Sequence, residues 1–179
     1  MKQLVFVTLI SAVLSGVLLL PAFSEGDSLD AKVTPLVLSV NITQTEVQYG
    51  SLPLSTDDTN RSTDGSANLT VTNTGSVLAD LLIRGSDAVP AVGDTTWTLN
   101  CSPATVGTVG PNQFVHRFVR LPGDFNSAEA LCSASDKILV EDIAALTGSI
   151  EFRLQMNMPT ASTGYSERTS NVIVTAVQP

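Results

Sequence analysis

Few residues in this chain are able to do covalent or metal chemistry, and their spacing decides what each could do. His116 is the single histidine, so any Ser-His-Asp arrangement would have to use its imidazole as the base that activates a hydroxyl. It sits in the alternating run Phe114-Val115-His116-Arg117-Phe118, which places it within a strand rather than on a loop above a strand end. No Gly-x-Ser-x-Gly turn is present to lift a serine into position. Facing carboxylates could serve glycoside cleavage, and Glu141-Asp142 and Asp57-Asp58 are adjacent pairs. Neighbours on a strand point to opposite sides, so neither pair converges as written. The pattern reads as a protein that is not an enzyme, with a secreted hydrolase built on His116 as the remaining alternative.

Metal chemistry narrows to calcium. Asp57, Asp58, Asn60, Ser62 and Asp64 place oxygen donors along one polar stretch, the ligand type a hard cation prefers. Asp58-x-Asn60-x-Ser62-x-Asp64 begins as helix-loop-helix calcium loops begin. Thr63 stands where such a loop needs glycine, and Leu69 where its bidentate glutamate belongs. A solvated loop is the default, a weak surface Ca2+ site at Asp57, Asp58, Asn60 and Asp64 the alternative, and no other cofactor is indicated. One histidine and two cysteines exclude a multi-histidine or four-cysteine zinc site.

Two aromatic residues could meet a ligand. Trp97 and Tyr165 could each stack on a sugar ring, but one Trp and two Tyr make no row of aromatics. Trp97 with Leu99 on one strand face gains most from burial and is read as core. Candidate N-glycosylation sequons begin at Asn41, Asn60 and Asn68, and a fourth, at Asn100, includes a cysteine. They matter only where the producing cell glycosylates such sites.

The elements that position these residues start after an address. Lys2 precedes an almost purely apolar stretch over residues 4–20, followed by Pro21 and the small-x-small ending Ala22-Phe23-Ser24. This is the layout of a signal peptide over residues 1–24, leaving residues 25–179 as one domain with no membrane segment after cleavage. Export places Cys101 and Cys132 in an oxidising compartment, where an even pair forms a disulfide. A net charge of −8 with only nine Lys and Arg excludes nucleic acid as the main partner.

Along that domain the dominant period is two. Ile150, Phe152, Leu154, Met156 and Met158 alternate with Glu151, Arg153, Gln155 and Asn157, the mark of a strand apolar on one face and polar on the other. Shorter alternations fall at 38–43, 69–72 and 172–176, and residues 78–84, 95–100, 113–121 and 137–140 are further strand candidates. Turn-formers such as Asn73-Thr74-Gly75 and Gly110-Pro111-Asn112 separate them. Seven to nine short strands and no long helical period predict an all-β chain, a single antiparallel β-sandwich. Residues 127–133 and 142–146 are read as short helix-like pieces, and residues 55–67 as a mobile polar loop. The Cys101–Cys132 staple, the Asn73–Gly75 turn and core positions Trp97, Phe152, Leu154 and Val174 are the residues of structural consequence.

The stretch from Leu69 to Ile83, with Val71-x-Asn73-x-Gly75 at its turn, resembles the strand–turn–strand of extracellular immunoglobulin-like modules. A looser resemblance, carried by Trp97-Thr98-Leu99 and by the Pro159…Gly164-Tyr165 turn before the final strand, is to WxL-type cell-wall-binding domains. The first resemblance implies the sandwich fold; a secreted sandwich without catalytic residues reads as a structural or adhesive module, a fibre or surface-layer component that associates with itself or other surface proteins. The second implies a glycan- or wall-binding module.

Overall fold

A computed structural model describes residues 35–59, 68–102 and 109–179, which belong to one compact unit, Pro35–Pro179. The leader expected at 1–24 lies outside the described residues, as do Asn60, Ser62 and Asp64 of the calcium reading. No α-helix occurs among the described residues, and twelve strands do. The six long ones fall on the alternating runs and further strand candidates: β3 (Leu69–Asn73), β4 (Ala79–Gly85), β7 (Gln113–Arg120), β9 (Lys137–Ile143), β10 (Ser149–Asn157) and β12 (Val172–Val177). The others, β1 (Val40–Ile42), β2 (Asp57–Thr59), β5 (Val89–Pro90), β6 (Thr98–Leu99), β8 (Glu129–Ala130) and β11 (Arg168–Thr169), span two or three residues each.

The larger sheet runs β1-β3-β10-β7-β6, with β2 paired to β10 and β8 to β7. The smaller runs β12-β4-β9. Their pairings are antiparallel except β6 with β7, which is parallel. Leu69, Val71, Phe114, Phe118, Phe152 and Leu154 of the larger sheet meet Leu81, Ile83, Leu139 and Ile143 of the smaller in one buried apolar cluster, with Val174 packed against it. That shared interior makes the domain a β-sandwich.

Three expectations are corrected. Residues 127–133 are not helical: a 3-10 turn at Phe125–Ser127 precedes extended chain, because Leu131 N donates to His116 O and Cys132 O accepts from Gly85 N. Residues 142–146 end β9 and enter a turn, with Asp142 and Leu146 at φ 53° and 67°. Of the polar stretch at 55–67, residues 60–67 lie outside the described residues, while Asp57–Thr59 form strand β2, since β10 outruns β3 and its edge at Gln155–Asn157 takes them.

The polar side of β10 is also more buried than alternation suggests. Gln155 is 8% exposed and Asn157 0%. Behind the larger sheet, Val109, Val115 and Ala130 form a second small apolar cluster. β7 is therefore buried on both faces, the ambiguity its sequence carried.

The turn after β3 is set by local chemistry. Asn73 Oδ1 accepts from Gly75 N at 2.9 Å, while its Nδ2 donates to Val77 O at 2.9 Å and Ile143 O at 3.2 Å. A Cβ on Gly75 would stand 2.3 Å from Val37 O, so the turn residue must be glycine for the chain before β1 to lie against it.

Candidate functional site

At the opposite end of β4 two loops are clamped together. β5 and β11 form a two-stranded ribbon of their own, and Ala91 N donates to Glu167 O at 3.1 Å. Gly93, at φ +40°, turns the chain into Asp94. Asp94 accepts from Ser166 N at 2.9 Å. Hydrogen bonding by Ser166, with a smaller contribution from the Arg168 guanidinium, holds the Asp94 carboxyl below its ordinary 3.8. A Cβ on Gly164 would sit 2.2 Å from Asp94 Cγ, so only glycine lets the two loops close.

Beneath this contact lies Trp97, 8% exposed. Its Nε1 donates to Ser162 Oγ at 3.1 Å, and Ser162 Oγ in turn donates to Gly164 O. The Arg168 guanidinium stacks on the indole with Cζ 4.3 Å from the ring centroid. Its nitrogens donate to Thr95 O at 3.2 and 3.1 Å, to Ser166 O at 2.8 Å and to Gly164 O at 3.2 Å. A guanidinium offers five donors in a fixed fork, which suits it to gather three carbonyls from two loops. From the third side, Asn112 Oδ1 accepts from Thr163 N at 3.0 Å, and Asn112 N donates to Ala161 O at 2.8 Å.

This scaffold holds Tyr165 out to solvent, 85% exposed, beside Val92 at 76% and Val89 at 57%. Single exposed apolar side chains are ordinary; these three belong to the β5–β11 ribbon and the loops beside it. Tyrosine adds a flat ring and a hydroxyl at small rotamer cost, the properties that make it frequent at recognition surfaces.

Of the two aromatics proposed for sugar stacking, the structure separates the roles. Trp97 is in the core, with one ring face under Arg168, and it supports the turn that presents Tyr165. The sequence marks Gly164 and Asp94 only as turn residues and gives Arg168 no signal. Arg168 acts 71 positions from Trp97 by their numbering, and no local pattern announces such a pair.

The remaining candidates lie apart. Cys101 and Cys132 form a disulfide with Cα atoms 4.8 Å apart, 31 positions apart in sequence. It ties the chain after β6 to the Cys132 segment, whose carbonyl bonds Gly85 N at 3.0 Å. Asp57 and Asp58 have their backbones in β2, opposite Asn157 and Met156. Asn41 is exposed on β1, and Asn68 is exposed with its Nδ2 3.4 Å from Glu151 Oε2.

His116 is 3% exposed. Its Nε2 lies 2.8 Å from the Tyr49 hydroxyl, and the two rings meet edge to face with centroids 5.7 Å apart. Its Nδ1 is buried with no hydrogen-bond partner among the described residues. Desolvation pushes the imidazole down to about 4, so it is neutral through the physiological range.

No protein-family model matches this chain, and comparison with curated proteins and with solved structures gave no match. The fold and the buttressed turn pair are therefore the basis for a functional reading.

Proposed function

We propose that this chain is a non-catalytic, secreted or cell-surface structural and adhesive module, an immunoglobulin-like β-sandwich that acts through surface contacts. The observation that carries the reading is Tyr165, with Val89 and Val92, held in solvent by supports that are all internal to the domain. Contact residues fixed before binding lose little conformational entropy on association. The disulfide is compatible with an extracellular location. So is the finding that no helix among the described residues is long and apolar enough to cross a membrane. Signal-peptide removal and export belong to the same proposal.

The test is retention on intact cell surfaces, purified wall polysaccharide and surface-protein arrays. The double variant Tyr165→Ser, Val92→Ser is expected to lose binding at least roughly tenfold, about 1.4 kcal/mol, with its melting temperature unchanged. Undiminished retention overturns the reading.

A glycan- or wall-binding role is the second reading, favoured by the exposure of the Tyr165 ring itself. Tyr165→Leu separates the two. It keeps apolar contact with a protein partner but removes the ring face a sugar would stack on.

A further inference from the structure

Of the ten large apolar side chains exposed among the described residues, five gather at the Gly75 end: Leu36 (64%), Val37 (49%), Leu38 (44%), Leu78 (45%) and Leu146 (66%). Backbone bonds hold their segments together. Ser76 N donates to Val37 O at 2.9 Å, Val37 N donates to Ser76 Oγ at 3.0 Å, and Leu146 N donates to Gly75 O at 3.0 Å. Residues 35–45, 74–79 and 143–150 contain no charged side chain, so three neighbouring segments form one uncharged apolar tip.

Leu146 stands at this tip against its backbone preference. Its φ of 67° lies in the left-handed region, where glycine, asparagine and aspartate are at ease and leucine is an outlier. A strained conformation that presents an exposed apolar side chain points to a use for that side chain.

Two facts select a lipid surface as the occupant. The first is the chain that leads to the tip. Residues 4–20 are almost purely apolar, and residues 21–34 alone lie between them and Pro35, next to Leu36. A spacer of that length reaches at most about 50 Å. While an apolar leader is held in the exporting membrane, it delivers the domain to lipid by the end that carries the tip. The second fact is charge. Behind the tip on the smaller sheet the first charges are carboxylates: Asp80, two residues past Leu78, and Asp142, whose N–H donates to Asp80 Oδ1 at 2.9 Å, with Glu141 exposed beside it. These oppose an anionic lipid surface. A zwitterionic bilayer takes the uncharged tip without desolvating any charge.

We propose that the tip formed by Leu36–Leu38, Leu78 and Leu146 inserts into the headgroup–acyl boundary of a zwitterionic bilayer. The domain released by cleavage then stays on the membrane with its Tyr165 end outward. This orientation rests on the reading of the chain as a cell-surface module and supplies its attachment.

Vesicle flotation of the chain cut after Ser24 tests it, because that form keeps the whole described unit and its core. Binding to phosphatidylcholine vesicles is expected, undiminished by high salt, with weaker binding to phosphatidylglycerol vesicles. Leu146→Asn suits the left-handed backbone and is expected to keep or raise the melting temperature. It should nevertheless weaken vesicle binding at least roughly tenfold, the scale of one leucine withdrawn from lipid. Tyr165→Ser leaves vesicle binding unchanged. Spin-labelled phosphatidylcholine should broaden amides at 36–38, 76–78 and 145–147 and spare those at 164–166. No binding to phosphatidylcholine, tighter binding to phosphatidylglycerol, indifference to Leu146→Asn, or broadening centred on Tyr165 each overturns the proposal. So does a tip that retains a surface protein but no vesicle. Vesicle binding absent while Tyr165-dependent adhesion persists defeats this inference alone, whereas vesicle binding without that adhesion defeats the proposed contact surface alone.

Discussion

The two ends of the sandwich are held by different kinds of force. At the Gly75 end, the buried Asn73 side chain bonds Gly75, Val77 and Ile143, and backbone bonds from Thr74, Gly75 and Ser76 to Ser39 O and Val37 O tie the turn to the chain around β1. At the Tyr165 end, support comes from partners far apart in sequence, with Arg168 and Trp97 stacked and Asp94 bonded to Ser166. Seven residues of β4 separate the ends, roughly 23 Å at about 3.3 Å per residue. The difference teaches that the first end is part of the folding framework, whereas the second is an addition locked on top of it.

Asn73→Ala should cause the largest loss, about 4 kcal/mol of global stability, because it orphans an amide and two carbonyls in the interior. Denaturant unfolding followed by circular dichroism measures it. A loss confined to a local change near Leu146 would erase the contrast between the ends.

Between the ends, His116 sets a pH dependence for the whole domain. Its folded value of about 4 lies below the ordinary 6.5. The unfolded chain therefore binds the proton more readily between those values. Stability is full above pH 6.5 and declines as pH falls toward 4, by about 3 kcal/mol at roughly 1.4 kcal/mol per unit. Denaturation midpoints in His116→Gln, which keeps a polar partner for Tyr49, should lack that slope.

Arg168→Ala should cost less, about 2 kcal/mol, from the lost stacking and carbonyl bonds. Its distinguishing sign is local. Trp97, the single tryptophan, should shift its emission to the red before the sheets unfold. Arg168→Lys keeps the charge but not the fork, and should recover less than half of the loss.

The smallest effect concerns Asp94. Its lowered value means that its support of Ser166 is present above 3.8 and is lost as pH falls through the folded value. Amide shifts of Gly164–Ser166 should move in that acidic window and stay fixed in Asp94→Asn.

The same division explains what could be read from the chain directly. Alternation located β3, β7, β10 and β12 because each has a side facing the shared core, β4 and β9 were legible only as strand candidates, and Asn73-Thr74-Gly75 announced its turn by residue type. Trp97 was read as core on size alone. Arg168 gave no such signal, since its value depends on a ring brought to it only by the fold. The burial of Gln155 and Asn157 was equally hidden: polar residues at alternate positions look solvated until the strands paired on both sides of them, here β2 and β7, are known. Residues 127–133 resemble a helix because Ala128, Ala130 and Leu131 suit one, and the backbone partners His116 and Gly85 that hold Leu131 and Cys132 extended come from other strands.

The central claim is that Tyr165 is presented on a rigid support, and backbone relaxation at Gly164, Tyr165 and Ser166 tests it most directly. The account predicts order parameters like those of the strands, near about 0.85, falling in Arg168→Ala. Values below about 0.6 in the unaltered protein would mean that the turn moves freely, and the account would be contradicted.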